Sequence, residues 1–275
     1  MASQNAFVVV DPNDDKHIAL ERAIITSKFR NPRPKLLVFV ATNAESVDMR
    51  YTNDNLYRDQ QWFEREIREP IAANGLECEI MACWSSDWQK AIIQESTRLG
   101  VDAILLPVHA KANSRRFTFA ESKWALLKNA QCPVVLIRPG ANENRKVVLA
   151  AVNFQATRKE QVDLNHMIVE QGKNTAKNYG AEFHIVNAYR ESLNYPDRGK
   201  LVNDTGVASD HIHVQQGYTD EVVSAIAKKV SADILVMGTL GQNGLPSARR
   251  GNTAERVIGA VDIDVMVYNE GARMF

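Results

Sequence analysis

Three things are scarce in this chain, and each scarcity excludes a class of function. Cysteine occurs three times in 275 residues, as Cys78, Cys83 and Cys132, and no two of them form a CxxC pair. An odd, scattered set argues against a disulfide framework and against a structural zinc knuckle. Excess charge of one sign is missing too: 33 basic side chains face 33 acidic ones, for a formal net charge of zero. A nucleic-acid binder leaves a basic footprint, so nucleic acid is not an expected partner. Long apolar runs are the third absence. No window approaches the roughly 18 unbroken apolar residues of a membrane helix, so no membrane association is expected. The opening MASQNAFVVVDPNDD has neither a basic start nor a long apolar stretch, and is not read as a secretion signal. The expectation is a reduced, cytoplasmic protein whose 45% apolar content suffices for a real core.

The standard phosphate and hydrolase signatures are also missing. There is no GxxxxGK[ST] loop, no GxGxxG fingerprint and no GxSxG elbow. Lysine-assisted phosphoryl transfer, ordinary dinucleotide binding and serine hydrolysis therefore find no support.

What the chain does contain is an order of short apolar strands and amphipathic helices. Phe7 to Val10 runs into the turn Asp11-Pro12-Asn13-Asp14-Asp15, and His17 to Phe29 has helical spacing with Asp14 or Asp15 as its expected cap. Strands are expected at Leu36–Ala41, Leu76–Trp84, Val101–Val108 and Pro133–Arg138, with helices between them at Asp54–Ala73, Asp87–Leu99 and Phe119–Ala130. After the polar link from Gly140 to Lys146 the order begins again. Strands are expected at Val147–Val152, Glu182–Ala188, His211–Gln215, Ile234–Met237 and Val265–Tyr268. Helices are expected at Glu160–Tyr179, Thr219–Val230 and Thr253–Ala260, with an irregular stretch around Pro196 and Gly199. Alternating strands and helices predict parallel sheets covered on both faces.

The repetition can be tested by overlay. Val101–Pro139 falls on Ala232–Glu270 at a fixed offset of 131, without a gap. Asp102 meets Asp233, and Val134 meets Val265. We read a tandem duplication, residues 1–141 and 145–275, one α/β domain in each. The copies differ where chemistry is expected. Gly238, Gly241 and Gly251 of the second copy face Pro107, Ala110 and Ala120 of the first, and Asn252 faces Glu121. A strand, a glycine elbow, a loop and a helix start make an anion cradle, because free N–H donors and the positive end of the helix dipole converge there. Proline removes a donor and a glutamate at the helix start repels phosphate. The site is therefore expected in the second copy alone.

The spacing Gly238-x2-Gly241-x9-Gly251 resembles the nucleotide-binding motif of universal stress proteins. The phrases VVVDPNDD, VVLAAVNFQA and MGTLGQNGLPSARRGNTAERVI are similar to those of that family's tandem members, and the likeness covers nearly the whole chain. The resemblance implies a flavodoxin-like α/β fold of five parallel strands per domain and a role in stress adaptation. It also implies ATP or another adenine nucleotide as ligand, with or without Mg²⁺. On that reading Gly238, Thr239, Gly241, Gly251, Asn252 and Thr253 hold phosphates, and Asn153 meets the other end of the ligand. Two positions depart from the family pattern. Binding members carry Ser or Thr directly after the third glycine, where Asn252 stands here, followed by Thr253. They carry Asp after the first strand; the first copy has Asp11, but the second has Asn153. Asparagine still accepts and donates hydrogen bonds, so the base end is weakened rather than lost.

Such a cradle, with no acidic pair beside it to clamp a metal, binds rather than turns over, so no catalytic residue is assigned and at most slow ATP hydrolysis is expected. The two copies are expected to pack together as a pseudo-dimer within the chain, with a homodimer of chains left open. The competing expectation is a non-nucleotide interaction or carrier module with degenerate pockets. Gly238, Gly241 and Gly251 would then serve only turns and close helix–sheet packing. Arg249 and Arg250, in the loop, fit either phosphate closure or a solvated face. His211 and His213 alternate and would face one way, but no third His or carboxylate stands near them in sequence, so no metal site is expected. His17, His109, His166 and His184 are read as ordinary. Trp62, Trp84, Trp88 and Trp124 are read as core or helix–sheet contacts.

Overall fold

The computed structural model describes residues 5–42, 60–108, 119–240 and 253–272. It divides into two compact units, Met1–Pro139 and Gly140–Met274.

The first unit contains β1 (Asn5–Val10), α1 (Ile18–Ser27), β2 (Lys35–Thr42), α2 (Gln60–Phe63) and α3 (Glu69–Ala73), the last two joined by a π-turn at Glu64–Arg68. It continues with β3 (Cys78–Trp84), α4 (Trp88–Arg98), β4 (Ala103–Pro107), α5 (Phe119–Asn129) and β5 (Val134–Ile137). The strands are parallel, in the order β3-β2-β1-β4-β5. Phe7, Val8, Ile104, Leu106 and Leu136 are almost fully buried. A parallel sheet needs such continuously apolar central strands because helices cover both faces. The outer β3 instead alternates between half-buried and exposed, and Trp84 at its end is 51% exposed, so it is not a core residue.

The second unit repeats the plan. It contains β6 (Val147–Val152), α6 (Lys159–Tyr179), β7 (Glu182–Tyr189), α7 (Arg198–Thr205) and β8 (Ile212–Gln216). It continues with α8 (Thr219–Lys229), β9 (Ile234–Thr239), α9 (Thr253–Ala260) and β10 (Asp264–Asn269). Its parallel order is β10-β9-β6-β7-β8. Numbered within each unit, both sheets therefore run 3-2-1-4-5. The order reverses between strands 1 and 4, where flavodoxin's own 2-1-3-4-5 reverses between 1 and 3.

A shared clamp fixes the start of each unit. Asp102 Oδ2 accepts the Asn5 N–H at 2.9 Å, and Asp102 N–H returns a bond to the Asn5 carbonyl. Its counterpart Asp233 accepts from the N–H groups of Lys146 and Val147 at 2.6 and 2.9 Å, and its own N–H bonds the Val147 carbonyl. The match at offset 131 is thus a match of roles.

Three local readings change. The N-cap of α1 is His17, with no side-chain capping bond, so Asp14 and Asp15 do not cap it. The stretch after Pro196 is not irregular: Asp197 caps α7 by accepting the Lys200 N–H, and Gly206 ends it at φ 64°. The polar link also hides a core residue. Arg145 is buried with Asp264 at 3.0 Å and lies 5.2 Å from the Tyr179 ring centroid. No helix among the described residues is long and apolar enough to cross a membrane.

Candidate functional site

In an open α/β sheet, ligands bind outside the carboxyl ends of the strands where the order reverses. In the second unit that place lies between β6 and β9. Their ladder runs from Val148↔Ile234 only to Ala150↔Val236. Each strand continues beyond it with its other neighbour, β6 to Val152↔Asn187 and β9 to Asn269↔Thr239. The carboxyl ends therefore part, and Asn153 and Thr239 stand on the two sides of the parting. The sequence placed these two residues 86 positions apart; the topology brings them to one edge.

Asn153 has an exposed side chain and a hydrogen-bonded main chain. Its N–H donates to Asn165 Oδ1 at 3.0 Å, and its carbonyl accepts from Asn165 Nδ2 at 2.6 Å. The next N–H, of Phe154, donates to Asn187 Oδ1 at 2.8 Å. Asn187 Nδ2 in turn donates to Gln155 Oε1, and Gln155 Nε2 to the Ala188 carbonyl. Asn165 and Asn187 are both buried. Two buried amides thus replace the backbone partners a loop lacks. Sequence reasoning missed both; the available signal was an Asn inside each of two apolar stretches, Leu164 to Val169 and Ile185 to Ala188.

Thr239 is buried at the end of β9, opposite the buried Asn269. Gly238 is a packing glycine. A Cβ there would stand 2.7 Å from Leu164 Cδ2 and 2.9 Å from Ile168 Cδ1, closer than real Cβ contacts come. α6 rests on the sheet through a second contact of the same kind, Gly172 against the Phe183 ring. Thr253 is the first residue of α9 and is exposed. Gly241, Gly251 and Asn252, with Arg249 and Arg250, lie outside the described residues.

The first unit has the same parting. The β1–β4 ladder ends at Val8↔Leu105, while β1 pairs with β2 to Val10 and β4 with β5 to Pro107. There the residue after the strand is a buried carboxylate, Asp11, whose Oδ1 accepts the Asn13 N–H at 2.9 Å.

A second polar group, at the opposite end of the second sheet, was not foreseen. His211 lies in a 3₁₀ turn (Ser209–His211) rather than on the strand, and His184 joins it from β7. The His184 and His211 rings stack with centroids 4.2 Å apart. His184 Nδ1 lies 3.2 Å from His213 Nε2, and its Nε2 lies 3.4 Å from Glu182 Oε2. Both a third His and a carboxylate are therefore present, against expectation, because residues 27 positions apart meet across β7 and β8. Burial, reinforced by His184 and Lys229, pushes the His213 ring down to about 4. Burial also lowers His184, although Glu182 opposes it.

Comparison with known proteins agrees with this architecture. The profile of the universal stress protein family matches residues 3–138 and again 145–269. The chain is 26% identical to the universal stress protein E homolog of Haemophilus influenzae over 300 residues, covering 97% of both chains. It is equally 26% identical to universal stress protein E of Escherichia coli K12, over 96% of this chain and 93% of that one. A crystal structure of a putative universal stress protein from Pseudomonas aeruginosa superposes with a TM-score of 0.78 at 22% identity, covering 98% of this chain and 94% of that chain. One from Archaeoglobus fulgidus gives 0.70 at 16% identity, covering 96% of each. At these identities the two structures speak for the fold.

Proposed function

This chain belongs to the universal stress protein family, and from that premise we propose that its second unit binds an adenine nucleotide, ATP or a relative, in the crevice between β6 and β9. The observation that carries the proposal is the early end of the β6–β9 ladder at Ala150↔Val236, with Asn153 and Thr239 flanking the opening. Strand ends that part at a switch point give a ligand access to main-chain donors. On this reading Thr239, Gly241, Gly251, Asn252 and Thr253 contact the phosphates, and Asn153 offers its exposed amide to the base or ribose. The glycine at 238 acts by depth: it lets α6 seat against β9, which sets how close the helix comes to the crevice. Any Mg²⁺ enters with the phosphates. Binding serves as a signal or a stabiliser in a cytoplasmic stress response, and rapid hydrolysis is not part of the proposal.

A ligand that binds only the native state stabilises it by about 2.7 kcal/mol at a hundredfold excess over Kd. Thermal unfolding of the chain with and without saturating Mg–ATP or AMP is the direct test. The expected result is a higher Tm that Gly251→Glu abolishes, since a carboxylate at the helix start repels phosphate. An unchanged Tm with both nucleotides, and no nucleotide released from purified protein, rejects the proposal.

One observation favours a second reading, a non-nucleotide interaction or carrier module. Gly238 and the main chain of Asn153 are both explained by internal packing and hydrogen bonds, without a ligand. If Gly251→Glu leaves the stress phenotype intact, this reading gains.

A further inference from the structure

The group at the amino-terminal edge of β7 and β8 has ligand chemistry that the nucleotide reading does not use and does not depend on. We propose that Glu182, His184 and His211 form a binding site for one divalent transition-metal ion, with Zn²⁺ as the reference ion. Each residue offers one ligand atom, and the three atoms lie within 4.8 Å of one another. Two imidazole nitrogens and one carboxylate oxygen suit Zn²⁺ and its transition-metal neighbours, whereas Mg²⁺ and Ca²⁺ take oxygen.

The hydrogen bonds select the donor atoms. His211 Nδ1 lies 3.2 Å from the Phe183 carbonyl. A carbonyl only accepts, so Nδ1 carries the proton there and Nε2 keeps its lone pair. For His184 two tautomers compete. With the proton on Nε2, the ring donates to Glu182. With the proton on Nδ1, it donates to His213 Nε2, and the Nε2 lone pair faces Glu182 Oε2 across 3.4 Å. Two acceptors so placed repel unless a cation lies between them. Their separation is close to the ~3.3 Å edge of a tetrahedron built on Zn–ligand bonds of about 2.0–2.1 Å. Metal binding selects this tautomer: the Nε2 proton leaves and one is taken up at Nδ1, so the ring stays neutral and no net proton is released. His213 then fixes the orientation of His184, the part that outer partners play for metal-bound histidines.

Two side-chain adjustments complete the site. His184 and His211 are stacked at an interplanar angle of 28°, so the rings must splay for both lone pairs to meet one ion. Glu182, with 67% of its side chain exposed, turns inward and gives the ion a path from solvent. Three protein ligands leave a fourth position for water. The parallel strands put this group at the opposite end of the sheet from the crevice, since β7 begins at Glu182 and β8 at Ile212.

Isothermal titration of Zn²⁺ into the chelator-treated full chain tests the proposal. One equivalent is expected to bind. Glu182→Gln and His211→Gln are each expected to weaken binding at least about tenfold. His166→Gln, at an exposed histidine of α6, is the control and is expected to bind as the parent does. Neither Glu182 nor His211 is fully buried, so both variants are expected to keep the parent's circular dichroism. Should His211→Gln fail to fold, Glu182→Gln decides alone. No heat of binding overturns the proposal, and so does binding that survives Glu182→Gln unchanged.

Discussion

The two units share a frame and differ at its openings. Both sheets run 3-2-1-4-5, both part between strands 1 and 4, and both are pinned at the first strand by an aspartate, Asp102 or Asp233. At the parting they diverge. The first unit has a buried Asp11 and a proline, Pro107, where the second has an exposed Asn153 and a glycine, Gly238, pressed by α6. Folding therefore demands the clamp and the apolar strands of each copy, while the residues flanking the crevice vary between copies without disturbing the sheet. The second unit also carries a buried ion pair, Arg145–Asp264, and Asp264 falls at offset 131 on Pro133 of the first.

That ion pair gives the largest test of the contrast. Arg145→Met leaves the Asp264 carboxylate buried without its guanidinium. Breaking a buried pair from one side costs about 3–5 kcal/mol. Urea unfolding is expected to show a transition of the second unit moved to lower denaturant, with the first unit's transition in place. Coincident loss of both would show that the units do not unfold separately.

The aspartate clamps come next. Asp233 accepts from two N–H groups and from Asn142 Nδ2 at 2.7 Å, whereas Asp102 accepts from the Asn5 N–H. Hydrogen bonds to a charged group are worth about 1.5–3 kcal/mol each, and they are not additive. Asp233→Ala is expected to destabilise by roughly 2–4 kcal/mol and to exceed Asp102→Ala. Equal losses by thermal unfolding would mean that the extra partners add nothing.

Gly238→Ala sharpens the contrast at the crevice itself. The new methyl would meet Leu164 and Ile168, and overpacking of this kind costs about 1–3 kcal/mol. If Tm is unmoved, α6 is less firmly seated on β9 than its contacts indicate.

Much of the frame was legible beforehand because parallel strands announce themselves as short apolar runs, and duplication repeats them at one offset. Gly180 ends α6 and Gly75 follows α3, both at positive φ, as helix-stop signals predict. What could not be read was any pairing across distance. Arg145 sits in a polar link and reveals its buried role only when Asp264, 119 residues on, closes beside it. His184 looked solitary until β7 and β8 aligned it with His211 and His213. The resemblance pointed to Asn153 after β6, but the Asn165 and Asn187 amides that hold its loop could not be read. For Gly238 the sequence left two explanations, and the structure displays the packing one.

The smallest effect expected is a difference in acid tolerance, and its sign follows from His213. Burial holds this ring at about 4 in the folded chain, against about 6.5 for an unperturbed histidine. Between those values the unfolded chain binds a proton that the folded one refuses, so unfolding takes up protons and stability falls as pH falls. Above about pH 6.5 both states are neutral and the effect vanishes; below about pH 4 it stops growing. His184, lowered in the same direction, adds to it. Because the His213 ring is only partly buried, solvent screening shrinks the gain. In metal-free protein, the second unit's urea midpoint is therefore expected to decline between pH 6.5 and 4. His213→Gln, which keeps a polar ring-sized partner for His184, is expected to flatten that decline. A midpoint with the same slope in parent and variant would assign the acid sensitivity to other groups. A decline that begins only below pH 4 would point to carboxylates, for which stability is lost as they protonate.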